Sequence, residues 1–209
     1  TFKLAIWDTG SADTHTIAWD FGDGSTTNDT LEPTHVYADN GSYTVTVTVT
    51  DDDGATMSDT LVVYVNNVPP AVNLGADAML DEGATITSIG SFTDPGVDTW
   101  TATVDYGDGS GEQSLVLNPD KTFVLSHPYP NSGTYTVTVT VADDEGDLGS
   151  DTLAVTVKNL VPEVAPISGP TSAVRGQTVS FSGSFADVSP VQSHAIEWDF
   201  GDGTFLTFA

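Results

Sequence analysis

The 209-residue chain contains no cysteine, two methionines and only four basic residues. Without cysteine there is no disulfide framework, no thiolate nucleophile and no Cys-rich zinc module. The basic residues Lys3, Lys121, Lys158 and Arg175 are scattered, and thirty acidic residues bring the formal net charge to -26. Phosphate backbones are bound by clustered Lys and Arg, so nucleic acid is excluded as a partner. An anionic membrane surface is disfavoured by the same repulsion. No apolar run approaches the ~20 residues that cross a bilayer, so no direct membrane insertion is expected of this segment. Cations are the natural counterpart of so acidic a surface.

What the chain does have is repetition. Trp19-Asp20-Phe21-Gly22-Asp23-Gly24-Ser25 returns as Val104-Asp105-Tyr106-Gly107-Asp108-Gly109-Ser110 and as Trp198-Asp199-Phe200-Gly201-Asp202-Gly203-Thr204. The spacings are 85 residues from Asp20 to Asp105 and 94 from Asp105 to Asp199. A second signature, His35-Val36-Tyr37 followed by Gly41-Ser42-Tyr43-Thr44-Val45, recurs as His127-Pro128-Tyr129 followed by Gly133-Thr134-Tyr135-Thr136-Val137. A period this long is a whole domain, not a solenoid unit. Boundaries are expected at Asn66-Asn67-Val68-Pro69-Pro70 and Lys158-Asn159-Leu160-Val161-Pro162, where proline withholds the amide a ladder needs. This gives a partial domain at 1–68 lacking its first strands, a complete one at 69–160, and the N-terminal part of a third at 161–209. Each partial domain should expose unpaired strand edges.

Strand signals dominate. Tyr43, Val45, Val47 and Val49 alternate with Thr44, Thr46, Thr48 and Thr50, and the pattern recurs from Tyr135 to Val141. A two-residue period of β-branched residues sends aliphatics to a core face and threonines to the other. Leu61, Val63 and Val65 form the next strand, mirrored by Leu153, Val155 and Val157, after the turns Asp51-Asp52-Asp53-Gly54 and Asp143-Asp144-Glu145-Gly146. No helical period is present. The reading is an all-β chain of tandem sandwiches.

The recurring side chains read as structure. Trp19 shares a strand face with Ile17 and Phe21 and is expected to anchor the core. Gly22 and Gly24 permit a tight turn in which Asp20 and Asp23 accept amide hydrogen bonds. His35 and His127 read as hydrogen-bonded structural histidines, since no nucleophile accompanies them at matching positions. The acids cluster at turns and not across a cleft, so paired-carboxylate hydrolysis has no support and no enzyme is expected.

The ordered set Trp19–Ser25, Pro33-Thr34-His35-Val36-Tyr37, Gly41–Val45 and Asp51–Gly54 closely resembles the PKD (polycystic kidney disease) domain. That resemblance implies an immunoglobulin-like β-sandwich in an extracellular or cell-surface protein. Val104, standing where the other copies have Trp, and a longer insert from Gly111 to Lys121 depart from the pattern in the middle copy. Collagenase-type members hold calcium between the leading linker and a loop after the second strand. Carried over, the ligands would be Asn67 with Asp94 and Asp98, then Asn159 with Asp187, with Ser189 and Val191 nearby in the last copy. The expected role is a non-catalytic spacer or adhesion scaffold stiffened by calcium, with protein or polysaccharide ligands at the surface or matrix. The alternative is an accessory polysaccharide- or protein-binding module of a secreted hydrolase.

Overall fold

The computed structural model describes residues 2–5, 14–190 and 192–208; Val191 lies outside them. No α-helix occurs among the described residues. Two compact units divide the chain: Thr1–Pro70 with Thr93–Trp100 and Ala142–Leu148, and Ala71–Phe92 with Thr101–Val141 and Gly149–Ala209.

The first unit carries one antiparallel sheet of β1 (His15–Asp20), β2 (Thr26–Asn28), β3 (Gly41–Asp51) and β4 (Thr56–Val65), in the order β2-β1-β3-β4. The expected alternation sets the register. Trp19 lies opposite Val47, and Ile17 opposite Val49. Ile17, Trp19, Phe21, Val45 and Val47 form the buried cluster, against which Phe2, Leu4, Tyr37 and Val63 pack. Trp19 is buried and its Nε1–H donates to Thr30 O at 3.0 Å, as expected of a core anchor. The opposite side of the alternation holds exposed Thr44 and half-buried Thr46 and Thr48.

The second unit contains a sandwich. Its strands are β5 (Ala71–Asn73), β6 (Ala78–Asp81), β7 (Thr85–Thr93), β8 (Thr101–Asp105), β9 (Gln113–Leu115), β10 (Thr122–Pro128), β11 (Gly133–Ala142) and β12 (Leu148–Lys158). They form a three-stranded sheet β10-β7-β5 and a five-stranded sheet β6-β12-β11-β8-β9. β6 and β12 run parallel, Val155 opposite Ala78 and Val157 opposite Leu80. Val104, Val137, Val139, Val141, Leu153, Val155 and Val157 from the larger sheet are buried, as are Ile86, Phe123 and Leu125 from the smaller. Val104 takes the core position that Trp19 holds in the first copy, at 2% exposure, so that departure from the repeat leaves the core intact. Two further hairpin-like pairs follow: β13 (Glu163–Val164) with β14 (Phe185–Ala186), and β15 (Ile196–Asp199) with β16 (Phe205–Phe208).

Equivalent strands differ in burial. Leu61 on β4 is 56% exposed, whereas Leu153, at the same register of β12, is 1% exposed. The alternation is the same in both; among the described residues a second sheet accompanies the sheet of β12 and none accompanies that of β4.

Candidate metal centre

The Gly-Asp-Gly turn is built the same way in each copy. Asp20 Oδ1 accepts Gly22 N–H at 2.9 Å and Asp23 Oδ1 accepts Ser25 N–H at 2.9 Å. Asp105 and Asp108 repeat this with Gly107 and Ser110, and Asp199 and Asp202 with Gly201 and Thr204. Gly22 has φ 81°, and a Cβ there would meet Thr44 O at 2.7 Å; at Gly107, with φ 73°, it would meet Thr136 O at 2.5 Å. Only glycine lets these turns lie on the following strand.

The second signature docks on the first. His35 Nε2 lies 2.6 Å from Asp23 Oδ2, its ring stacks on Phe21 at 4.2 Å, and Tyr37 Oη–H donates to Phe21 O at 3.0 Å. In the middle copy His127 Nε2 is 2.8 Å from Asp108 Oδ2, its ring stacks on Tyr106 at 4.1 Å, and Tyr129 Oη–H donates to Tyr106 O at 2.8 Å. The Ser110 hydroxyl and amide, with His127, hold the Asp108 carboxyl down at about 2. Burial pushes the Tyr129 phenol up to about 12. In both copies the Asp, His and Tyr side chains hold the turn against the sheet. The expected histidine roles hold; their partners, Asp23 and Asp108, were not specified by the sequence reading.

A different carboxylate group includes one oxygen with no such commitment. In the first unit the loop Thr93–Trp100 is shaped by Asp94, whose Oδ1 accepts Gly96 N–H at 3.1 Å and whose Oδ2 accepts Trp100 Nε1–H at 3.0 Å. Four residues on, Asp98 is 8% exposed, and its Oδ2 is buried with no hydrogen-bond partner. Gly96 leaves room for that carboxylate: a Cβ there would lie 2.1 Å from Asp98 Oδ2. Burial pushes the Asp98 carboxyl up to about 6, a side-chain hydrogen bond with Asp94 adds to this, and the Asp94, Glu145 and Asp39 charges act in the same direction.

The β11–β12 turn brings more acids to this point. Oxygens of Asp98, Asp144 and Glu145 lie within 4.8 Å of one another. Asp144 Oδ1 is oriented by Thr99 N–H at 3.0 Å and Glu145 Oε1 by Asn40 Nδ2 at 2.9 Å. Asn67 Nδ2 donates to Asp143 Oδ2 at 2.7 Å and to Asp147 Oδ2 at 3.1 Å. Asn67 is thus turned toward the acidic hairpin. Two oxygens on one Ca²⁺ are at most about 5 Å apart, twice its 2.3–2.6 Å bond length, so the cluster suits this cation. A buried carboxylate oxygen without a hydrogen-bond partner, among hard oxygen donors, is the observation that makes the fit. Asp144 and Glu145 read only as turn residues in the sequence. The available signal was the surplus of acid, Asp143, Asp144, Glu145 and Asp147 in five positions, where a hairpin needs one.

The second expected pair is placed differently. In the second unit Asp187 Oδ2 lies 2.8 Å from His194 Nε2, and its Oδ1 accepts Ser189 N–H at 3.1 Å. The His194 hydrogen bond, then the Ser189 amide, lower the Asp187 carboxyl below the usual range. Asn159 Nδ2 donates to Leu160 O at 3.0 Å, and its Oδ1 accepts from Gln192 Nε2 at 2.5 Å. Both residues are engaged in hydrogen bonds with neighbours.

Comparison with known proteins agrees with this architecture. The PKD domain model matches residues 1–65 and 67–157. The chain belongs to the PKD domain family. Among relatives of this PKD protein is a microbial collagenase of Vibrio alginolyticus, 46% identical over 50 residues, or 24% of this chain. The chain spans 6% of that collagenase's length. Similar solved structures include the PKD domain of an M14-like peptidase from a Thermoplasmatales archaeon, 27% identical, covering 44% of this chain and 98% of that one at a TM-score of 0.39. A tetra-tandem repeat from the extending region of a large adhesion protein is 20% identical, covering 93% and 54% of the two chains at a TM-score of 0.46.

Proposed function

We propose that this PKD chain is a non-catalytic spacer of an extracellular or cell-surface protein, in which a calcium ion stiffens the segment leading into the middle copy. The observation that supports the spacer reading is the recurrence of the His–Asp–Tyr strut, which bonds the Gly-Asp-Gly turn in both copies. PKD domains are typically non-catalytic accessory modules. Of the described residues, no helix is long and apolar enough to cross a membrane.

The calcium reading rests on the buried Asp98 carboxylate oxygen without a hydrogen-bond partner. Asp98, Asp144 and Glu145 would supply carboxylate oxygens and the Asn67 carboxamide an additional one, with Asp94 and Thr99 fixing the loop that presents them. Bound Ca²⁺ would tie Asn67, just before Pro69 and Pro70, to two loops at once and so restrict bending there. Extracellular modules bind Ca²⁺ with Kd on the order of 10⁻⁴–10⁻³ M. At about 1 mM free Ca²⁺, one to ten times that Kd, the bound ion stabilises its unit by about 0.4–1.4 kcal/mol. Thermal melts and X-ray scattering in millimolar CaCl₂ and in EGTA test this. The expected outcome is a higher Tm and a narrower distribution of dimensions with calcium, both lost in Asp98→Asn. Superimposable melts and scattering curves in the two buffers would abandon the cation.

The resemblance to part of a microbial collagenase favours a second reading, an accessory module of a secreted hydrolase. The exposed side chains Val62 and Tyr64, on one face of β4, would then present a surface to a polysaccharide or protein fibre. Co-sedimentation with insoluble collagen and with chitin separates the two. A spacer stays in the supernatant, whereas an accessory module pellets with one fibre and is released by Tyr64→Ala.

A further inference from the structure

The two calcium-type residue sets are related by the repeat, and their differences follow a pattern. Asn67 corresponds to Asn159 at a spacing of 92, and Asp39 and Asn40 correspond to Asn131 and Ser132 at the same spacing. Asp98 corresponds to Gln192 at the 94-residue spacing that relates Asp105 to Asp199. Two positions that are carboxylates around the first set, Asp39 and Asp98, are therefore neutral amides, Asn131 and Gln192, around the second.

The Gln192 carboxamide sits among oxygens. Its Nε2 lies 2.5 Å from Asn159 Oδ1 and 3.1 Å from Glu82 Oε2, with Ser132 Oγ also within 3.2 Å. The NH₂ group has two protons, which suffice for the asparagine carbonyl and the carboxylate. Glu82 is 3% exposed, and its other oxygen accepts Leu160 N–H at 2.7 Å. Asn131 Oδ1 accepts Ser189 Oγ–H at 2.8 Å, so the second neutral amide is also bonded within the set. A buried carboxylate needs a positive or proton-donating partner, and here an amide supplies the donors. In the first unit the buried Asp98 carboxylate oxygen has no such donor.

We propose that in the second set a side-chain amide, Gln192, does the bridging that a cation would do in the first. The Gln192 Nε2H₂ donates to Asn159 and Glu82 and thereby fixes the Asn159–Leu160 segment without any metal ion. Extending the calcium reading of the Asp98 set, on which this part rests, these 209 residues bind one Ca²⁺ and not two.

The test uses the 209-residue chain, with Ca²⁺ titrated by calorimetry and peptide-resolved hydrogen exchange recorded in EGTA and in CaCl₂. The expected results are one bound Ca²⁺, lost in Asp98→Asn and kept in Asp187→Asn, and a Leu160 amide equally protected in both buffers. Gln192→Ala should speed Leu160 exchange about tenfold in both buffers, the factor for about 1.4 kcal/mol on a hydrogen bond to a charged group. Two bound cations with one lost in Asp187→Asn, Leu160 protection that appears only with calcium, or unchanged exchange in Gln192→Ala would each overturn the proposal. If no Ca²⁺ binds while Leu160 stays protected and sensitive to Gln192→Ala, the calcium reading falls and the amide closure stands.

Discussion

Leu61 and Leu153 occupy equivalent places in equivalent strands, so truncating each tests the architecture with an internal control. Leu153 is 1% exposed beneath the β10-β7-β5 sheet, and Leu61 is 56% exposed. Leu→Ala removes three carbons, about 2.4 kcal/mol of transfer free energy at ~0.8 kcal/mol per methylene. At Leu153 the unfilled volume adds to this, giving an expected loss of about 3–4 kcal/mol. At Leu61 a little under half the side chain is withdrawn from water, and no enclosed cavity results, so about 1 kcal/mol is expected. Hydrogen exchange pulsed through a urea series, read on β11–β12 and on β3–β4 peptides, gives each unit its own midpoint. With a slope of roughly 2 kcal/mol/M, Leu153→Ala should lower its midpoint by about 1.5–2 M and Leu61→Ala by about 0.5 M. Equal losses at the two sites would refute the reasoning, because a covering sheet would then have to lie on both strands.

Three more outcomes follow from the geometry. Asp108 is held at about 2 against an ordinary 3.8, so it stabilises the fold above pH ~4, and this contribution is lost as pH falls from there through about 2. Asp108→Asn should remove about 1 kcal/mol of that acid-side slope after allowance for its partial exposure, as read from urea midpoints between pH 2 and 5. Gly107→Ala, whose Cβ would press on Thr136 O at 2.5 Å, should destabilise by more than 2 kcal/mol, whereas Gly109→Ala, at φ 87° with open space, should cost about 1 kcal/mol. Tyr129→Phe removes the 2.8 Å bond to Tyr106 O and should cost about 1–3 kcal/mol; in the native chain, ultraviolet titration should find the Tyr129 phenol still protonated at pH 11.

The strands, the acidic hairpins and the Gly-Asp-Gly turns were legible because each is fixed by neighbours a few residues away. Val45 and Val137 announce their face by alternation, and Gly22 and Gly107 their turn by lacking a side chain. The burial difference between Leu61 and Leu153 was not legible, since it depends on a sheet whose strands lie far off in sequence. The carboxylates of the candidate site were half legible. Asp94 and Asp98 came from the family pattern, but Asp144 and Glu145 join Asp98 across more than forty residues, which no local spacing encodes. Gln192 carried no signal at all: a glutamine declares its role only when its neighbours Glu82 and Asn159 are seen around it.

The parallel pairing of β6 with β12 decides how the middle copy carries a load. β6 lies near the start of that copy and β12 ends it, with Val155 beside Ala78 and Lys158 beside Asp81. Opposed forces entering at the two ends run along these neighbouring strands and slide them past each other. The rungs between them must then rupture together, whereas an antiparallel hairpin pulled from its open end would unzip one rung at a time.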